Sequence, residues 1–300
     1  MKQRIFDYVQ LMRADKPIGT LLLLWPTVWA LWLSGGEHST YGWHFVSMNP
    51  HVVIVFLLGV FLMRSAGCVI NDFADRDFDR HVERTKDRPL TAGRVSSFEA
   101  LALFAVLSFM AFILVLTLDP SVRIKVLIAA VPALIVAIAY PFMKRFFVTP
   151  QLILGIAFSC GIPMAYLAHG QSLEFGVWLL ILANLCWVVA YDTAYAIVDI
   201  EDDQKVGILS SARFFEANDI KIIGLLQCAT LILLFLVGWF YDLNRYYYGL
   251  LFANGLFFVY QQWLIKDRDR TACFKAFLNN AWFGGGVFIA IVLGSQKLWV

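Results

Sequence analysis

Charge is scarce in this 300-residue chain: 15% of its residues are Asp, Glu, Lys or Arg, while 60% are hydrophobic and mean hydropathy is +0.70. An average soluble domain has roughly 45–50% apolar residues, so this chain lacks the polar surface of a soluble globule, and a soluble enzyme is excluded. Cysteine is equally thin. The five cysteines, Cys68, Cys160, Cys186, Cys228 and Cys273, are odd in number and nearly all lie within apolar runs. That excludes a disulfide scaffold and reads them as small buried hydrophobes. There is no linker, no low-complexity tract and no extramembrane domain, so residues 1–300 read as one transmembrane domain.

What the chain has instead is apolar length. About 20 helical residues cross a bilayer core of ~30 Å, and nine stretches qualify, near residues 17–34, 51–70, 98–118, 125–143, 151–169, 173–191, 222–241, 247–265 and 278–295. The fold class is therefore an all-α integral membrane protein. Counting Lys and Arg in alternate connections puts nineteen on one side and four on the other, with Arg64 inside a span. By the positive-inside rule the N-terminus is cytoplasmic and the C-terminus lies outside. No small-residue cleavage site follows the first basic residues, and no Arg- and Ser-rich leader is present. A multi-pass protein of a bacterial plasma (inner) membrane is expected.

The acidic residues gather in two clusters. The first reads Asn71-Asp72-Phe73-Ala74-Asp75-Arg76-Asp77-Phe78-Asp79, and the second reads Asp199-Ile200-Glu201-Asp202-Asp203. Asn71, Asp75 and Asp79 fall at i, i+4 and i+8, so a helix running on from the second span lines them along one face. Asp199 and Asp203 repeat the spacing beyond the sixth span, with Asp192 two turns earlier. Four crossings separate the clusters, which returns both to the cytoplasmic interface. Five carboxylates gathered there need a cation, and Mg2+ is the natural one because it takes hard oxygen ligands together with substrate phosphates. The alternative is a set of solvated acids paired with Arg76, Arg80 and Arg84.

Cations surround these acids. Arg64 lies seven residues before Asn71, roughly 10 Å deeper at ~1.5 Å per residue, where it must face an anion, a wet cavity or one of the aspartates. Arg13 and Lys16 open the first span; Lys144 and Arg145 follow Tyr140-Pro141-Phe142-Met143 at the end of the fourth. All four also fit as positive-inside anchors. Lys86, Arg88 and Arg94 belong to a loop placed to fold over the site. Metal, cations and a neighbouring apolar pocket together point to a ligand of high negative charge density with a greasy tail, a polyprenyl diphosphate.

These residues carry a resemblance. Asn71-Asp72-x-x-Asp75-x-x-x-Asp79 resembles the first motif of UbiA-type membrane prenyltransferases, and Asp199-x-x-x-Asp203 resembles the second. Arg13-Ala14-Asp15-Lys16-Pro17-Ile18-Gly19-Thr20, Trp25-Pro26-Thr27, Tyr140-Pro141-Phe142-Met143-Lys144-Arg145, Pro150-Gln151 and Asp192-Thr193-x-Tyr195-Ala196 are similar to segments of the 4-hydroxybenzoate branch of that family. One departure stands out. Where that branch usually has Gly-Ile-Lys-Ser, this chain has Gly207-Ile208-Leu209-Ser210, with Arg213 one turn on as the candidate substitute.

The resemblance implies transfer of a polyprenyl chain to the ring carbon ortho to the hydroxyl of 4-hydroxybenzoate, an early step of ubiquinone synthesis. It implies metal binding by Asn71, Asp75, Asp79, Asp199 and Asp203, and diphosphate binding by Arg64, Lys144, Lys16 and Arg13 near Tyr140. Arg145 is the expected partner of the acceptor's carboxylate. Asp192 either takes the ring proton or orients Tyr195, and Asp75 and Asp199 belong to the catalytic set. Aromatic side chains are expected to shield the allylic cation, without the sequence choosing among them. The substrates meet the protein from the membrane lipid; no nucleic acid and no obligate protein partner are expected. The alternatives are a prenyltransferase for another aromatic acceptor and a divalent-cation transporter, for which carboxylates at one interface are poorly placed.

Overall fold

The computed structural model describes residues 2–39, 42–45, 49–80 and 85–296. Arg84 lies outside them. Twelve helices run in chain order: α1 Lys2–Leu11, α2 Ile18–Ser34, α3 Pro50–Asp79, α4 Ser97–Leu116, α5 Pro120–Met143, α6 Pro150–Ser159, α7 Gly161–Ala168, α8 Phe175–Val206, α9 Ser211–Phe215, α10 Asp219–Phe240, α11 Arg245–Ile265 and α12 Arg270–Gly294. A short antiparallel hairpin, β1 Gly36–Ser39 with β2 Gly42–Phe45, joins α2 to α3.

Local chemistry starts and stops these helices. Asn49 accepts from the His51 amide at 3.0 Å ahead of Pro50. Ser96 and Glu99 form a capping box on α4, and Asp119 accepts from the Ser121 amide at 2.9 Å ahead of Pro120. These groups satisfy amides that the first helical turn leaves orphaned. Gly207, at φ +80°, closes α8 in a left-handed conformation that suits glycine. α6 and α7 are one apolar run interrupted at Cys160, just before Pro163 removes an amide donor. Gly161 packs so closely there that a Cβ would sit 2.7 Å from Thr27 Oγ1.

Seven helical segments among the described residues are long and apolar enough to cross a membrane: those led by α3, α4 and α5, α6 with α7, α8, α9 with α10, and α12. α2 is apolar but shorter, and α11, 21 residues long, falls outside the seven. The protein is a multi-pass membrane bundle. Its helices alternate between two ends. At one end Arg13 meets Asp72, the Leu209 amide meets the Lys144 carbonyl and Arg268 meets Asp219. At the other Ser34 meets His169, Trp32 meets Ser295 and Asn244 caps Leu293.

α8 forms the centre. Its Leu180, Ala183 and Trp187 pack with Trp29 of α2 and Phe283 of α12 in the main core, while Ala194 and Ile197 join Ile223, Ile265 and Ala276 in a second. Leu62, Ala66 and Val69 of α3 form a third with Leu11 and Leu107. α4 and α5 contribute little to any core and expose Phe109, Ile128 and Ile135, the pattern of helices whose outer faces meet lipid. Of the cysteines, Cys68 and Cys273 are buried, but Cys228 is exposed, a correction to the uniform buried reading: it lies on the outer face of α10, where a small apolar side chain is equally at home against lipid. A chain of amides binds the last three long helices: Gln262 donates to Gln227, Gln227 to Gln261, and Gln261 to Asn279, each at 2.9 Å.

Candidate functional site

α3 and α8 outrun their apolar stretches, by nine residues past 70 and fifteen past 191, and this extension builds the site. Both carry their acidic motifs as continuing helix, so Asn71, Asp75 and Asp79 share a face, as do Asp192, Asp199 and Asp203. All six line one cavity of about 940 Å³. The charged end of that cavity also receives Arg13 and Lys16 from the turn before α2, Tyr140 and Lys144 from the end of α5, and Thr85 and Arg88 from the 85–96 connection. Deeper down its wall is apolar, formed by residues such as Val60, Ala111, Leu134 and Phe158.

The first motif is internally neutralised. Lys144 Nζ reaches Asp75 Oδ2 at 2.6 Å and Asn71 Oδ1 at 3.3 Å. Arg88 Nη1 bridges Asp79 at 2.8 Å and Asp72 at 3.0 Å. Arg13 Nη2 straddles both oxygens of Asp72 at 2.8 and 2.9 Å, from a residue held at φ +55°. Burial works to lower the Lys144 ammonium, but the adjacent Asp75 carboxylate outweighs it and holds Lys144 above its ordinary value. Local pairing with Arg76 is confined to the exposed Asp77, at 3.8 Å, while Arg76 lies over the Phe73 ring; the buried Asp72, Asp75 and Asp79 take distant cations instead.

Two expectations are corrected. Arg145 does not line the cavity; it is exposed, donates to the Ala74 carbonyl at 2.6 Å and lies against the rings of Phe78 and Phe142. One residue beyond Lys144 on the same turn, it is rotated to the outer surface, so it is not placed to hold a buried carboxylate. Arg213 likewise does not substitute for a cation at position 209. Its guanidinium donates to the Ile208 and Asp203 carbonyls, and Leu209 itself lines the cavity.

Arg64 is in the cavity wall, and its Nε is buried with no hydrogen-bond partner. It fits against Gly19, where an added Cβ would lie 2.2 Å from its Nη2. Tyr195 lines the cavity too, its ring 4.7 Å from that of Phe277 and tilted by 38°, and with Tyr191, Phe274 and Phe277 it makes the aromatic wall beside Asp192 and Asp199. Of the loop cations Lys86, Arg88 and Arg94 expected over the site, Arg88 is the one that reaches Asp72 and Asp79. Asp72 and Phe277 carry no such mark in the sequence, Asp72 because it is off the Asn71 face.

Among the described residues no three His, Cys, Asp or Glu side chains form a ready metal cage. The cavity nonetheless presents five hard oxygen-donor side chains, Asn71, Asp75, Asp79, Asp199 and Asp203, from two helices. This suits an ion such as Mg2+, which takes one or two carboxylates and completes its shell with water and phosphate.

The UbiA prenyltransferase family matches residues 23–291 of the chain. The 4-hydroxybenzoate octaprenyltransferase of Aeromonas salmonicida is 54% identical over 97% of this chain and 96% of that protein. The enzyme of the same name from Psychromonas ingrahamii is 52% identical over 98% of both. Among solved structures, the apo UbiA homolog from Aeropyrum pernix has a TM-score of 0.76 at 25% identity, covering 92% of this chain and 97% of that one. A UbiA homolog from Archaeoglobus fulgidus bound to GPP and Mg2+ has a TM-score of 0.68 at 19% identity, covering 95% and 99%.

Proposed function

Because this chain belongs to the UbiA prenyltransferase family, we propose that it transfers a polyprenyl group, octaprenyl by the names of its relatives, from polyprenyl diphosphate to 4-hydroxybenzoate in ubiquinone synthesis. The observation that carries this is one cavity that joins both acidic motifs and five cations to an apolar chamber. The charged end matches a diphosphate and the chamber matches its chain. We place the enzyme in a bacterial inner membrane, with the charged end and the N-terminus in the cytoplasm.

Asn71, Asp75, Asp79, Asp199 and Asp203 hold the divalent metal, Mg2+. When bound it stabilises the charge gathered on the departing diphosphate. Lys144 and Arg88, already at the cavity mouth, exchange their carboxylate partners for phosphate oxygens, with Arg13 and Lys16 beside them. Tyr140 flanks Lys144. As the allylic carbon–oxygen bond breaks, Tyr195, Phe274 and Phe277 face the allylic cation with their π-systems. The ring carbon ortho to the acceptor's hydroxyl forms the new carbon–carbon bond. Asp192 takes the proton that this carbon releases.

With Arg145 on the outer surface, Arg64 is the arginine that meets the acceptor's carboxylate. Arg13 and Arg88 are committed to the motif acids, whereas Arg64 lies two turns deeper with Nε unbonded. A divalent-cation path would not need Lys144, Arg88 and Arg64 beside its carboxylates.

The test is prenyl transfer to radiolabelled 4-hydroxybenzoate in membranes, with Mg2+ and with excess chelator. Metal-dependent prenylated product is expected. Product formed equally in chelator would sink the metal assignment, and no product would sink the acceptor.

A further inference from the structure

Among the described residues, three buried side-chain donors that line the cavity have no hydrogen-bond partner, Ser108 Oγ on α4, Arg64 Nε and the Tyr191 hydroxyl, and the last two belong to the helices that carry the acidic motifs. Tyr191 is 3% exposed. Its ring is fixed edge-on by Trp187, at 5.4 Å and 83°, and by Phe277, at 5.9 Å and 64°, so the hydroxyl cannot swing away to find an acceptor. An unsatisfied buried hydroxyl costs about 1–3 kcal/mol. The orphan is therefore informative about what enters the cavity.

Depth places the two donors together. Arg64 precedes Asn71 by seven residues on α3, and Tyr191 precedes Asp199 by eight on α8. At ~1.5 Å per residue both lie roughly 10–12 Å below the motif acids. Asp192 and Tyr140 line the same cavity. A diphosphate held by Lys144 and Arg88 sits at the mouth, two turns above. Two donors offered together complement a group that only accepts, and a carboxylate presents two oxygens for them.

We propose that Tyr191 is a specificity-determining residue whose hydroxyl donates a hydrogen bond to the carboxylate of the aromatic acceptor, with Arg64 on the other oxygen. This rests on the prenyl transfer to 4-hydroxybenzoate argued above. The hydroxyl distinguishes an acid from an acceptor with an apolar substituent, because the latter leaves it buried and unpaired.

The test compares the full-length protein in lipid nanodiscs with Tyr191→Phe, using 4-hydroxybenzoate and 4-methylphenol as acceptors. The ligand-free Tm of Tyr191→Phe should not fall, since the hydroxyl bonds nothing there. Its KM for 4-hydroxybenzoate should rise about tenfold, the scale of one hydrogen bond to a charged group. KM for 4-methylphenol and for polyprenyl diphosphate should each stay within about twofold. Unchanged KM for the acid overturns the proposal, as does an equal rise for both acceptors with a lower Tm, or a rise confined to the diphosphate. Should Tyr191→Phe fail to fold, equilibrium binding to the unmodified protein decides: 4-hydroxybenzoate must bind at least about tenfold tighter than 4-methylphenol, and equal binding overturns it. Unmodified protein that yields no product from 4-hydroxybenzoate overturns the underlying reading as well. Product with an unchanged variant overturns this inference alone.

Discussion

In the first acidic motif Asp72, Asp75 and Asp79 are 1%, 6% and 7% exposed and each holds a cation, while in the second Asp199 and Asp203 are half-buried. The second motif's Glu201 meets Arg270 at 3.2 Å across open surface. Burial explains the difference. A carboxylate removed from water must carry a counter-charge, so the first motif is neutralised by Lys144, Arg88 and Arg13 before any ligand arrives. Ligand binding at the first motif is therefore an exchange of cations, whereas the half-buried second motif already meets solvent in part. The two motifs supply similar side chains on similar spacing, but they should fail differently when altered.

The largest effect should come from the exchange site. Asp75→Ala removes a proposed metal ligand and strands Lys144; product formation in membranes should fall about a hundred- to thousandfold, as for loss of one preorganised electrostatic group. Loss of less than tenfold would mean that the second motif alone carries the charge. Next, Lys144→Met leaves Asp75 buried and unpaired. It should cost about 3–5 kcal/mol in reversible unfolding and raise KM for polyprenyl diphosphate more than KM for the acceptor. A smaller effect is expected from Gly19→Ala, whose Cβ displaces Arg64 without touching either motif. KM for 4-hydroxybenzoate should rise about tenfold, the scale of one charge-assisted hydrogen bond, at unchanged KM for the diphosphate; a shift in the diphosphate KM would move Arg64 to the other substrate. The smallest belongs to the open side: Glu201→Gln breaks an exposed pair and should change stability by less than about 1 kcal/mol.

Much of this was legible in the chain. Apolar runs located the long helices, and the i, i+4 spacing of Asn71, Asp75 and Asp79 and of Asp199 and Asp203 put each set on one face, because helix geometry is local. The partners of those acids were not legible. Asp72 pairs with Arg13, fifty-nine residues away, and Asp75 with Lys144, sixty-nine away, distances over which no periodicity carries information. Arg145 shows the same limit at close range. Adjacent residues on a helix differ by about 100° in direction, and whether Lys144 or Arg145 faces inward depends on where α3 lies. The aromatic wall was hidden for a different reason: with 16% aromatic residues, composition could not separate Tyr191 and Phe277 from rings that face lipid.

The amide chain from Gln262 through Gln227 and Gln261 to Asn279 has a consequence for biogenesis. Each of these side chains would be a lone polar group in hydrocarbon if its helix entered the membrane by itself. α10 emerges from the ribosome first, but its Gln227 finds acceptor and donor on α11, and that pair is completed only by α12. The last third of the protein must therefore be released into lipid as a set. A chain stopped before residue 279 would leave the Gln261 amide without its acceptor on α12.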